Sequence, residues 1–338
     1  MAGPRKFTDA NLEGVSTFLS TSLLHDENNT VNSLCDSLEK LVLYSKSKST
    51  WTKHMTAWNL VEQFFRHSNN KFTNVLDIKQ ARAFVVWALE KRGLKPSTVK
   101  SYLYSIKLAH CLSGKEHVDF AKDTVIQMAL KGADNLYELE MQNNKIRLAM
   151  DISTLKILGH RIAKSDWTKL SKQVVWTACL VSFFTSCRMG ELLADTEKSF
   201  DPTTTLAWKH VSSTDSCGKT IFLPYTKTTG LKGKTAEIFF FKDETCCPVL
   251  AMDRLESLSK LENIYNPDLP VFGFKSKFLT VNKLNIILKN FLSDFNTDGM
   301  SGFSCHSFRS AIPNLLSSHP TDSSIEDIKQ WGGWDSTS

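Results

Sequence analysis

From about Asn32 the apolar residues recur at intervals of three and four, the period of a helix with one buried face. VNSLCDSLEKLVLYS, STWTKHMTAWNLVEQFFRH and VLDIKQARAFVVWALEKRG each carry this pattern, and Gly93 gives the last of them a C-terminal stop. KPSTVKSYLYSIKLAHCL follows, with Pro96 at a helix start and Val99, Tyr102, Leu103, Ile106 and Ala109 on one face. The pattern predicts a first domain of four or five helices over residues 32–140, after a polar arm at 1–31. The polar stretch EMQNNKIRLAMDIS supplies a linker, placed at 141–150. Helical periodicity returns in DISTLKILGHRIAKS and in WTKLSKQVVWTACLVSFFTSCRMGELLAD, the latter read as one continuous helix. The period then changes to that of strands in TTLAWKHVS, KTIFLPYT and AEIFFF, the last two joined by the loop KTTGLKGKT. CPVLAMDRLESLSKL, TVNKLNIILKNFLSDF and HSFRSAIPNLLSS read as further helices. The fold class expected is mainly α: an all-helical domain, then a mixed α/β domain at 151–338 with a small antiparallel sheet.

Length agrees with two domains, because a single core stops growing near 250–300 residues and this chain has 338. With 41% hydrophobic and 22% charged residues the composition is that of a folded protein. The formal charge of +6 leaves the partner open, but its distribution does not. Twelve basic residues stand between Lys46 and Lys107 against the three acidic Glu62, Asp77 and Glu90. Such a segment on a near-neutral remainder is the footprint of a polyanion binder or a solvated basic face. Lys46, Lys48, Lys53, Arg92, Lys95, Lys100 and Lys107 are the phosphate-contact candidates.

The eight cysteines show no Cys-x-x-Cys pair and no zinc-finger spacing, so free thiols in a reducing compartment are expected. The start MAGPRKFTDA lacks the apolar core of a signal peptide, and VVWTACLVSFFTSC is too short to span a bilayer. The expectation is a protein that is neither secreted nor membrane-bound, nuclear in a eukaryote and otherwise cytoplasmic or nucleoid-associated.

Four short motifs remain: Arg-x-x-Glu-Leu-Leu at 188–193, a lysine in YTKTTG, His-x-x-Arg at 306–309, and Ile-Lys-Gln-x-Gly-Gly-Trp at 328–334. Each alone is an ordinary feature: an amphipathic helix turn, a hairpin, a helix opening, a turn before a core Trp. In this order and spacing they resemble the catalytic domain of the tyrosine recombinases, the family of lambda integrase and Cre recombinase. GLKPSTVKSYLYSIKLAH is similar to a helix of that family's core-binding domain, so the resemblance covers most of the chain. SFRSAIPNLL further resembles recombinases of DIRS-like and Crypton-like mobile elements. Pro313 departs from the usual bacterial pattern but sits near a helix start, where a missing N–H costs least.

The resemblance implies DNA strand breakage and rejoining through a 3′-phosphotyrosyl link, on double-stranded DNA and with self-association on it, using no metal or other cofactor. Attack on a phosphodiester builds negative charge on the non-bridging oxygens, which fixed cationic donors must meet. Arg188 and Arg309 are the guanidinium clamp this implies, His306 a further donor with proton-transfer capacity, and Trp334 an indole donor. The hairpin lysine protonates the leaving oxygen; Lys227 matches best, with Lys232 and Lys234 in the same loop. Glu191 is expected on the face of Arg188, either orienting the site or as a surface partner. The family's tyrosine would follow the Gly-Gly-Trp beyond Ser338, and none of Tyr44, Tyr102, Tyr104, Tyr137, Tyr225 and Tyr265 lies in that region. The chain therefore reads as an incomplete catalytic domain without its nucleophile; the competing reading is a non-catalytic DNA-binding protein derived from such an enzyme.

Overall fold

The computed structural model of the chain describes residues 37–38, 40–68, 76–112, 119–140, 146–214, 218–295, 300–309 and 311. It separates into two compact units, Met1–Gln142 and Asn143–Ser338. The expected N-terminal arm and the first half of the expected linker, 141–145, lie outside the described residues, as do Trp334 and Pro313.

The described part of the first unit is helical. Helix α1 spans Lys48–His67, α2 Ile78–Glu90, α3 Pro96–Leu112 and α4 Thr124–Glu140. Their starts follow from local chemistry. Ser47 accepts the N–H of Thr50, and Asp77 and Gln80 close a capping box on α2. Gly93, at φ +60, turns the chain out of α2 and into Pro96. The sequence pattern did not single out α4. Asp123 starts it by accepting the N–H of Ile126 at 2.9 Å, and also holds Arg82 at 2.7 Å. Phe64, Phe65, Phe84, Val99, Leu103, Ile106, Phe120 and Ile126 form the core. The buried His110 serves it by accepting the N–H of Leu76 through Nε2 at 3.1 Å.

The second unit wraps around one helix. After strand β1 (Ile146–Arg147) come α5 (Ile152–Lys164) and α6 (Lys169–Thr185), and the run Val174–Val175 and Thr177–Phe183 of α6 is buried throughout. A helix apolar on every side must lie inside a core. The single helix expected over 167–195 instead breaks at Ser186, whose backbone is left-handed at φ 51 and ψ 19. Only the one-turn helix α7 (Met189–Leu192) follows. No Gly, Pro or Asn marks this break, so periodicity alone carried the helix through it. Strands β2 (Val211–Ser213), β3 (Lys219–Leu223) and β4 (Lys234–Ile238) make an antiparallel sheet in sequence order, with Val211 opposite Ile221 and Ile221 opposite Ala236. The first strand is shorter than TTLAWKHVS suggested. Trp208–His210 is a 3-10 turn because the N–H groups of Trp208 and Lys209 are taken by the carbonyls of Leu269 and Pro267.

Helix α8 (Pro248–Leu261) opens on a proline and packs against α6. Helix α9 (Val281–Phe291) is capped by Thr280. Strand β5 (Met300–Ser301) pairs in parallel with β1, and a 3-10 turn follows at Cys305–Phe308. Among the described residues no helix is long and apolar enough to cross a membrane. The six described cysteines are free thiols.

Candidate functional site

The break after α6 builds the first half of the site. Ser182 Oγ donates to the Cys187 carbonyl at 2.9 Å, and Thr185 Oγ1 accepts the Cys187 N–H at 3.3 Å, so the turn is tied to the helix it leaves. Arg188 then sits at the N-cap of α7 in extended backbone. Glu191 folds back beneath it. Its carboxylate accepts the backbone N–H of Arg188 at 3.0 Å and Nη1 of the Arg188 guanidinium at 2.9 Å. The same carboxylate accepts the N–H of Lys227 at 3.3 Å. Glu191 is only 8% exposed, and a carboxylate so buried must be paired. The sequence left open whether it was a surface partner; the structure makes it the junction of two segments 36 residues apart.

The Lys227 segment is a closed miniature hairpin. Thr226 and Gly230 exchange both backbone hydrogen bonds. Thr226 Oγ1 accepts the N–H of Thr229 at 3.0 Å, and Thr229 Oγ1 donates to the Gly233 carbonyl at 2.8 Å. Gly230 and Gly233 have positive φ. A Cβ on Gly233 would lie 2.5 Å from the Leu223 carbonyl, so only glycine fits there. Lys227, Lys232 and Lys234 are exposed around this loop. Of the three, Lys227 is fastened through its backbone to Glu191.

The second half comes from Cys305–Phe308. Cys305 and Phe308 are buried; Asn285 Oδ1 of α9 accepts the Cys305 N–H at 2.8 Å, and the Ser307 carbonyl accepts the Met150 N–H at 2.9 Å. These contacts leave His306 exposed and turn Arg309 inward, 8% exposed. Arg309 Nη1 approaches the Ser186 carbonyl at 3.5 Å, two residues ahead of Arg188. Residues 123 positions apart in the chain thus meet at one turn.

Charges follow this geometry. Burial lowers the pKa of Arg309, the neighbouring Arg188 lowers it further, and Glu191 opposes both. Burial pushes the Cys187 thiol up, against the pull of Lys234 and Arg309. Arg188 and Arg309 therefore lie close to the Glu191 carboxylate, and two guanidiniums so placed can share the oxygens of an anion. Among the described residues no group of three or more His, Cys, Asp or Glu gathers as metal ligands.

In the first unit Lys53, Arg92, Lys95 and Lys100 are exposed and Lys46 half-buried. The side chain of Lys48 lies outside the description. Two of these residues lean on aromatic rings: Lys95 on Tyr137 at 5.3 Å and Arg92 on Trp87 at 5.9 Å. Lys107 is engaged with Asp119 at 2.8 Å.

No protein-family model matches the sequence, and no curated protein matches it. Solved structures do match in fold. The XerH site-specific recombinase bound to its difH substrate superposes with a TM-score of 0.54 at 14% identity, over 99% of this chain and 93% of that one. The Tn1549 transposon integrase in complex with transposon right end DNA gives 0.54 at 11% identity, over 88% and 90%. The lambda integrase dimer bound to a COC′ core site gives 0.54 at 11%, over 96% and 83%. The chain has the fold these recombinases and integrases share.

Proposed function

We propose that this protein is a DNA-binding strand transferase of the tyrosine-recombinase type, whose second unit binds and activates a phosphodiester. The observation that carries this reading is the meeting of Arg188 and Arg309 at the Ser186 turn, with Lys227 fastened to the same Glu191. A shared fold alone would not assign an activity; a constellation of the right groups does. The two guanidiniums would bind the non-bridging oxygens and stabilise the charge that grows on them. Lys227 would protonate the leaving 5′-oxygen, and the exposed His306 would supply a further hydrogen bond and proton transfer. Trp334 would add an indole donor. Duplex DNA is the partner proposed for the basic face of the first unit, with self-association on DNA, in the nucleus or nucleoid.

The attacking tyrosine is not proposed among the six present. Four belong to the first unit, Tyr265 packs on Trp208 and under Lys260, and Tyr225 is half-buried ahead of Lys227. The chain would then polarise a phosphate without forming a covalent link to it.

The test is chemical rescue. A pool of random duplexes is incubated with the protein and a small added nucleophile, hydrogen peroxide or a phenol, and strand cleavage is read by sequencing. Cleavage at defined phosphates, lost by at least about 100-fold in Arg188→Ala or Arg309→Ala, is the expected result. Binding without cleavage would replace this reading with that of a non-catalytic DNA-binding protein. A denaturant-resistant protein–DNA adduct formed with no added nucleophile would show that one of the six tyrosines attacks.

A further inference from the structure

Ser186 combines two unfavourable features at one position. It holds a left-handed backbone, which a residue with a Cβ adopts at a cost, and it buries a hydroxyl for which no hydrogen-bond partner exists among the described residues. A surrounding structure that enforces such a conformation does so where the conformation is used. The use is visible in what the residue joins. Ahead of it lies α6, immobilised in the core. Behind it, two residues on, lies Arg188, and the Ser186 carbonyl faces Nη1 of Arg309 at 3.5 Å.

We infer that Ser186 is a positioning residue, acting through its backbone: the left-handed turn sets the separation and aim of the two guanidiniums on the phosphate. A right-handed residue here would continue α6 through Cys187. Arg188 would then ride on the helix instead of capping α7, and the Ser186 carbonyl would bond within the helix instead of facing Arg309. Ser182 and Thr185 lock the joint from the helix side through Cys187. The inference rests on the phosphate-binding reading given above and deepens it.

The experiment separates the two. Protein labelled with ¹⁵N-arginine is titrated with inorganic phosphate, and the guanidinium Nε–H resonances of Arg188 and Arg309 are followed. In the native protein both should shift with one dissociation constant; if neither moves, the phosphate clamp and this inference fall together. Ser186→Gly keeps the turn, relieves its strain and removes the hydroxyl. It should raise the melting temperature by about 2–4 °C and keep the phosphate affinity within about two-fold. Ser186→Val opposes the turn and should weaken phosphate at least about ten-fold and uncouple the two resonances. Leu158→Ala, in the core of α5, controls for lost stability and should leave the affinity unchanged in the folded protein. Should Ser186→Val not fold, Ser182→Ala loosens the joint more gently, with a loss of about three-fold or more expected. The inference is overturned if folded Ser186→Val, or in its place Ser182→Ala, binds phosphate as the native protein does. It is equally overturned if Ser186→Gly loses as much as the valine variant, or if Leu158→Ala does.

Discussion

Lys53 and Lys100 on helices and Arg92 in the turn after α2 stand exposed in the first unit, whereas Arg309 of the second is 8% exposed and reaches the turn that leads into Arg188. Positive charge is spread and screened by water in one unit and gathered and desolvated in the other. A solvated lysine acts on a polyanion at long range, is weakened by salt, and is replaceable by its neighbours. A buried guanidinium is disfavoured until an anion arrives, and its contribution depends on position to within a fraction of an ångström. On the function proposed above, the same kind of charge would set affinity in one region and chemistry in the other.

The sharpest break in that comparison is at Arg309. Arg309→Lys and Arg309→Met should each lower rescued strand cleavage by about 10²–10³, because an ammonium cannot reproduce the planar fork. Since burial and Arg188 both disfavour the charged guanidinium, Arg309→Met should leave the melting temperature unchanged or raise it. A clear fall in melting temperature would show that Arg309 holds the fold instead of the substrate.

Next in size is Glu191→Gln. It removes a negative charge from the cluster, so DNA binding should hold or tighten, while release of Arg188 and Lys227 should cut cleavage by about ten-fold. Arg188 is about a third exposed, which limits the stability loss to roughly 1–2 kcal/mol. Equal losses in binding and cleavage would mean that Glu191 only supports the fold.

In the first unit the effects should be several-fold and uniform across sequences. Lys100→Ala should reduce the log–log salt slope of duplex binding by about 1. Lys107→Ala should reduce it less, because Lys107 is already paired with Asp119. A larger effect at Lys107 would show that the pair opens on DNA.

The smallest effect concerns pH. Burial, aided by Lys46, lowers the pKa of His54, whose Nδ1 meets Ser105 Oγ at 2.8 Å. The folded state thus binds this proton more weakly than the unfolded chain. The stability His54 contributes is full above about pH 6.5 and is lost as pH falls through its lowered value. His54→Gln should flatten the decline in melting temperature between pH 7.5 and pH 5.5 by a degree or two; an unchanged slope would remove His54 from the account.

Much of this was legible in the sequence because amphipathic spacing and caps are local. Helices α1 to α3, α8 and α9 and strand β3 fall where periodicity put them, while β4 starts two residues before AEIFFF, at Lys234, and ends at Ile238. What escaped depended on partners far along the chain. The helix through 167–195 stops at Ser186 with no breaker residue to announce it, and Trp208 leaves the strand pattern because Leu269 takes its N–H. Arg188, Glu191 and Arg309 were legible as a set by their resemblance to a known order of motifs. That Glu191 also holds the Lys227 backbone was not, since no spacing rule relates residues joined only by the packing of a hairpin on a one-turn helix.

The parallel pairing of β1 with β5 has a mechanical consequence. Ile146 and Arg147, three residues into the second unit, are matched to Met300 and Ser301, and Met150 is bonded to Ser307 between His306 and Arg309. The strand by which the chain enters this unit is therefore laced to the segment that carries half of its site. A displacement of the entry strand would therefore reach the backbone of Arg309 through a ladder only a few bonds long.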